Sequence, residues 1–349
     1  MEKQSFDGAV YVHKLESACE PPSAEDMARG AYEMLQAITP SLKRKVAIKP
    51  NITIPADKDS GIVTHPDFVA GMVDYFLEAG ILPENIMIAE GGGSITGYEI
   101  TEHFIHSGYA EMARSRGVKI VNINSDEKIP VKLPQGEILK EIGIARTVKD
   151  DDTLFINVPK YKTHNLAVTT LCMKNLMGTI TPSHDRHLCS IPKQYAKQAH
   201  EITPNGITMR EECLCHKLCD LSFASKPDLN VIEGIIGRDG TAFRHGKNIQ
   251  TNLVIAGKST VSVDAVGSYL MGFDPRGIGY LKIAAQRGLG IIDIGKMRIY
   301  EARDGELIPC SDISGFMSHI PFEVLRWDKQ PRNIPLNEKM LARLQPTVG

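Results

Sequence analysis

In Pro159-Lys160-Tyr161-Lys162-Thr163-His164 the basic residues alternate. An extended backbone sends every second side chain to the same side. Lys160, Lys162 and His164 would therefore face one anion together, or else line an exposed, solvated edge. Further on, Lys174 is the only acidic or basic residue of the apolar stretch 168–180. That stretch reads as a buried helix. An ammonium inside it needs an anionic partner, a covalent attachment or a depressed pKa, unless its stem carries it out to water. His184 and His187 follow in a loop opened by Pro182. Two histidines at this spacing can hold a metal or move protons, and they equally suit a solvated turn.

Other polar residues stand where strands should end. Lys49 and Asn51 follow the apolar run 46–48, Glu90 and Gly91-Gly92-Gly93-Ser94 close a strand over 85–90, Asn122 and Asn124 close one over 118–123, and Pro159-Lys160 follow 153–158. In open α/β sheets, ligands gather beyond the carboxyl ends of the strands, where unpaired amides are exposed. The glycine loop is either a cradle for a phosphate or carboxylate or an ordinary turn. It has neither the Gly-Lys-Ser/Thr of a Walker loop nor the dinucleotide spacing. Cys213, Cys215, His216 and Cys219 match no zinc or ferredoxin spacing. A helix over 214–223 would turn Leu214, Cys215, Leu218 and Leu221 inward, so these thiols are expected to be small core residues.

The elements that must position these residues alternate between strand and helix along the whole chain. This predicts an α/β fold of repeated β-α-β units, a largely parallel sheet flanked by helices. Strands are expected at 9–13, 229–232 and 253–256 besides those above, a hairpin turning at Pro134-Gln135-Gly136, and a short helix near 145–149. Longer helices are expected from Ala24, through Met112, over 263–271 and over 279–287. Thr64 and Asp67 predict a capping box for a helix that presents Phe68, Met72, Val73, Phe76 and Leu77 on one face until Gly80. Residues 1–315 read as one unit, with lobes about 1–160 and 161–315 flanking a cleft. Residues 316–349, rich in proline, read as a surface extension without a catalytic role.

A formal net charge of -2 with dispersed Lys and Arg excludes a broad nucleic-acid face. No apolar run nears the ~18 residues of a membrane span, and the first ten residues lack a signal-peptide core. Seven cysteines without a regular framework suit a reducing compartment and no disulfides. The expected location is cytoplasmic, and the sequence leaves the oligomeric state open.

Lys49-Pro50-Asn51, Thr64-His65-Pro66, Asn157 through His164, Lys174-Asn175-Leu176-Met177-Gly178 and Val263-Asp264-Ala265-Val266 occur in order. Together they resemble the domain of unknown function 362 family over roughly residues 46–293. Many members of that family carry ferredoxin-type cysteine repeats; this chain has none, so no iron-sulfur cluster is expected. The segment from His164 to His187 is also similar to lactate racemase, where a lysine tethers a nickel-pincer cofactor and histidine holds the metal. Here Cys172-Met173 replace the glycines before that lysine. The cofactor itself is left open by the sequence. The expectation is an enzyme, its reaction unassigned, that binds a small anionic substrate or cofactor. Lys49, Asn51, Lys160, Lys162, Asn175, Gly91 and Gly92 would bind it, and His164, Lys174, His184, His187 and Glu90 would perform the chemistry. A divalent metal would be held by His164, His184 and His187. The rival expectation is a non-catalytic metal or cofactor carrier using the same cleft.

Overall fold

The computed structural model describes residues 8–17, 19–93 and 97–345. Ser94, in the glycine loop, and the first seven of the ten residues read for a signal peptide lie outside the described residues. The strands are β1 (Ala9–Lys14), β2 (Lys45–Lys49), β3 (Ile86–Glu90), β4 (Lys119–Asn122), β5 (Lys128–Lys132), β6 (Glu141–Ala145), β7 (Thr153–Asn157), β8 (Lys160–His164), β9 (Val168–Thr170), β10 (Leu229–Arg238), β11 (Asn248–Gly257), β12 (Arg298–Arg303) and β13 (Glu306–Pro309). The helices are α1 (Ala24–Ile38), α2 (Pro66–Glu78), α3 (Ile100–His106), α4 (Tyr109–Arg116), α5 (Cys172–Asn175), α6 (Met209–Ala224), α7 (Thr260–Leu270), α8 (Gly279–Gln286) and α9 (Glu338–Leu344).

One mixed, largely parallel sheet organises the chain, in the order β13-β12-β1-β11-β10-β7-β2-β3-β4. From β10 to β4 every pairing is parallel, which is the α/β architecture expected of alternating strands and helices. β5 and β6 form a separate hairpin. Alternate side chains of the central strands enter two cores. Val231, Ile235 and Val254 pack with α1 and α2, while Ile232, Leu253 and Ile255 pack with α6, α7 and α8 on the other face. No helix among the described residues is long and apolar enough to cross a membrane.

Two local expectations change. α2 is capped by His65, whose side chain accepts from the Asp67 N–H, with Pro66 in the first turn. Thr64 instead bridges two strand ends, accepting from Asn51 N at 2.9 Å and donating to the Val158 carbonyl at 2.8 Å. The stretch 168–180 is not one helix. It is β9, then the single turn α5, then a tight turn through Thr179, because β9 must pair back onto β8 before the chain can coil.

Pro159 breaks the run from β7 to β8. Its missing N–H cannot join a ladder. β7 pairs with β10 at Leu229 and Asn230, and β8 rejoins the same strand at Glu233, after the break. This step carries the residues from Lys160 to His164 past the carboxyl edge of the parallel block.

Candidate functional site

At that edge Lys49 stands opposite Asn157, with Glu90 ending the neighbouring strand. Lys49 and Glu90 are buried and paired at 3.0 Å. Lys49 also donates to the Pro50 carbonyl at 3.0 Å and to Asn175 Oδ1 at 3.3 Å. Glu90 accepts the N–H groups of Ile52 at 3.1 Å, Gly91 at 2.7 Å and Gly92 at 3.2 Å. Burial alone would raise the Glu90 carboxyl, but Lys49 and these N–H groups outweigh it and hold it below its usual value. A carboxylate so saturated is a poor base, and its role is to fix Lys49 and the loop.

The amides of Gly91 and Gly92 thus serve an internal anion instead of the ligand expected for them. Their carbonyls accept from Arg186 Nη1 at 2.5 and 3.1 Å, and Arg186 Nη2 donates to the Ile180 carbonyl at 2.6 Å. A Cβ at position 91 would fall 2.3 Å from the guanidinium, so a larger residue there would have to push Arg186 off its carbonyl acceptors. Arg186 is buried, and its Nε–H has no partner among the described residues.

The basic strand divides. Lys160 is buried against Glu233 in an ion pair and cannot meet a ligand. Lys162 donates to Asn51 Oδ1 at 2.7 Å and to the Ile62 carbonyl at 2.6 Å, with no carboxylate partner among the described residues. Burial, reinforced by the nearby charges of Lys160, Lys174 and Arg238, pushes its ammonium down to about 7. From Asn51 a line of amides runs inward: Asn51 Nδ2 to Asn175 Oδ1 at 3.0 Å, Asn175 Nδ2 to Asn157 Oδ1 at 2.8 Å, and Asn157 Nδ2 to Asn230 Oδ1 at 2.9 Å. Each amide fixes the next, so Asn175 and Asn51 are held in one orientation.

These groups border a cavity of about 300 Å³. Lys49, Asn51, Glu90 and Asn175 line it, as do Lys174, Arg186 and Arg210, the two histidines His164 and His187, and the apolar side chains of Leu166, Met177, Phe243 and Trp327. His164 Nδ1 accepts the N–H groups of Leu166 at 3.0 Å and Ala167 at 3.1 Å. The neutral ring therefore carries its proton on Nε2, as a donor. Burial, followed by the charges of Lys174 and Lys162, keeps its pKa well below the usual histidine value. His187 is likewise lowered, by burial and then by Lys217, Arg210 and Lys174.

The three histidines expected to share a metal are not brought together. His184 lies outside the cavity lining with its side chain 79% exposed, 3.4 Å from Asp185. His164 spends its lone pair on backbone N–H groups. Among the described residues, no group of three or more His, Cys, Asp or Glu side chains could hold a metal ion. Lys174 does line the cavity, but half-buried, with Met177 Sδ 3.7 Å from its ammonium. Its stem reaches the cavity because α5 is only one turn long, so the cost of a fully buried charge does not arise. Cys213, Cys215 and Cys219 are buried free thiols on α6.

Residues 46–269 match the family described as domain of unknown function DUF362. The chain belongs to that family. A thylakoid-associated protein of Synechocystis sp. is 24% identical over 247 residues, covering 71% of this chain and 68% of the relative. The matched DUF362 region holds β2, α2, β3, β7, β8 and α5, and so most of the cavity lining. It leaves out Trp327. Sequence reasoning also missed Arg186 and Arg210 as site residues. Arg186 stood between the two histidines, a usable signal, whereas Arg210 and Trp327 reach the cavity only through tertiary folding.

Proposed function

We propose that this DUF362 protein binds a small organic anion, a carboxylate or phosphate, in the 300 Å³ cavity and acts on it by proton transfer. The observation that carries the reading is charge balance. Among the described residues, Glu90 is the one acidic side chain that lines the cavity and is matched by Lys49, while Lys174, Arg186 and Arg210 line the same space without a carboxylate partner. Cations partly withdrawn from water and left unpaired are costly unless an anion joins them.

Two neutral histidines favour an enzyme over a carrier. His164 presents a fixed Nε2–H that can stabilise negative charge developing on a substrate oxygen. His187, neutral near pH 7, can accept a proton. Seven free cysteines agree with a reducing, cytoplasmic setting. Lys174→Met tests the reading, since it keeps the apolar stem and removes the charge. Thermal melts of parent and variant with added inorganic phosphate should agree without ligand, within about 0.5 kcal/mol for a half-exposed site. Phosphate should stabilise the parent and lose most of that effect in the variant. Equal stabilisation of both would remove Lys174 from the site, and none in either would remove the anion reading.

A further inference from the structure

The anion reading leaves the cavity mouth unexplained. Trp327, the chain's one tryptophan, lines the cavity yet is 57% exposed, and Phe243 lines it too. A large aromatic left in water beside a cavity is an incomplete contact.

The chain is built to hold it there. Trp327 stands in a tight turn, closed by the bridge between Leu325 and Pro331 and by Arg326 N donating to the Gln330 carbonyl at 2.9 Å. Below the turn, Leu325 N donates to the Gly240 carbonyl at 3.2 Å and Gly240 N to the Glu323 carbonyl at 2.8 Å, which ties it to the segment carrying Phe243. Beyond the turn, Arg332 Nη1 donates to the carbonyls of Asn165 and Leu166 at 3.2 and 2.9 Å, in the cavity wall. The adjoining backbone is strained at two positions. Ala242, just before Phe243, has φ 103°, and Val168, the first residue of β9 and the partner of His164 in the β8–β9 pair, has φ 71°. Such conformations cost about 1–3 kcal/mol each and persist where surrounding structure imposes them, often at ligand sites. Arg244 lies over the Trp327 ring, its guanidinium carbon 5.8 Å from the ring centroid. That contact holds the ring on one face.

Resting on the anion reading above, we infer that the ligand is an anion bearing a flat conjugated group, its charged end on Lys174, Arg186 and Arg210 and its flat group stacked on Trp327. A single Trp makes the test direct. 1-Naphthyl phosphate and inorganic phosphate are titrated into the full-length protein by calorimetry, with Trp327 fluorescence followed in parallel. 1-Naphthyl phosphate should bind at least about tenfold more tightly, the size of one aromatic stack, and alter the fluorescence. In Trp327→Leu the ratio of the two affinities should fall toward one. Equal affinities in the parent, or a ratio unchanged in the variant, would overturn the aromatic inference while leaving the anion site standing. Failure of both phosphates to bind would overturn both.

Discussion

Lys162 should sense what enters the cavity, although it acts at one remove. Its ammonium is pushed down to about 7 by burial and neighbouring cations, and it reaches the cavity through Asn51, 2.7 Å away. A bound anion favours the charged lysine and so raises its pKa. Below pH 7 the lysine is already protonated and binding needs no proton. Above pH 7 the free protein has lost that proton and must take one up, so affinity falls as pH rises. Sulfate, whose charge is constant over this range, is the suitable probe. Its affinity should weaken above about pH 7 by up to about tenfold per pH unit. Calorimetric heats near pH 7.5 should depend on the buffer's ionisation enthalpy. Lys162→Met should remove both effects, and a parent whose sulfate affinity is flat from pH 6 to 8.5 would show that the lysine does not sense the cavity. Lys160, two residues away, should contribute nothing comparable, because Glu233 already holds it.

At the scale of elements, α5 is positioned by a carboxylate outside the cavity. Asp264 on α7 accepts the N–H of Cys172 at 2.7 Å, the N–H of Met173 at 3.0 Å and the Tyr280 hydroxyl at 3.2 Å, capping the turn that carries Lys174 and Asn175. Burial outweighs these donors and pushes its carboxyl up to about 7. In the unfolded chain an Asp titrates near ~4. Between the two values the folded state binds the extra proton, so Asp264's contribution to stability is complete below pH ~4 and is lost as pH rises through about 7. Asp264→Asn has no such proton. Urea denaturation should therefore show the balance moving toward the variant as pH rises from 5 to 8, and a constant difference would mean the carboxyl titrates normally. The parallel block was legible in the sequence because its strands are short apolar runs bounded by Pro, Gly and Asn. Lys49, Glu90, Asn51 and Asn175 were legible as strand-end or motif residues. The stretch 168–180 was not. Apolar on every side, it gives a helix and a buried hairpin the same composition, and only the pairing of Thr163 with Thr169 decides between them. Whether a polar group would face a ligand or the protein's own charge was equally hidden, as Gly91, Gly92 and Lys160 show. Arg186, for Gly91 and Gly92, and Glu233, for Lys160, become partners only when the chain folds.

For the molecule as a whole, the sheet separates two cores, and the chain beyond Gly315 is what joins one of them to the cavity mouth. Proline-rich and polar, it reads as a wrapping extension. Yet Phe322, Val324 and Met340 are buried in the core that holds α7 and α8, and Trp327 lines the cavity. Arg332 is the main polar tether. Besides the carbonyls of Asn165 and Leu166 it pairs with Glu211, with the two side chains only 16% and 12% exposed. Glu211 also receives the N–H and hydroxyl of Thr208 at 2.7 and 2.8 Å, so loss of the arginine does not strip it of every donor. Arg332→Ala should therefore cost about 1–3 kcal/mol, the range for removing a partner from a largely buried charged group, and not the larger penalty of a bare buried ion. The global core would survive, because Phe322 and Met340 still anchor the chain on either side of the turn. What should change most is Trp327. With its tether to the cavity wall gone, fluorescence anisotropy of the single tryptophan should fall while the far-UV circular dichroism stays that of the parent. If the anisotropy is unchanged, the turn is held by its own 325–331 bridge, and the cavity mouth is rigid without Arg332.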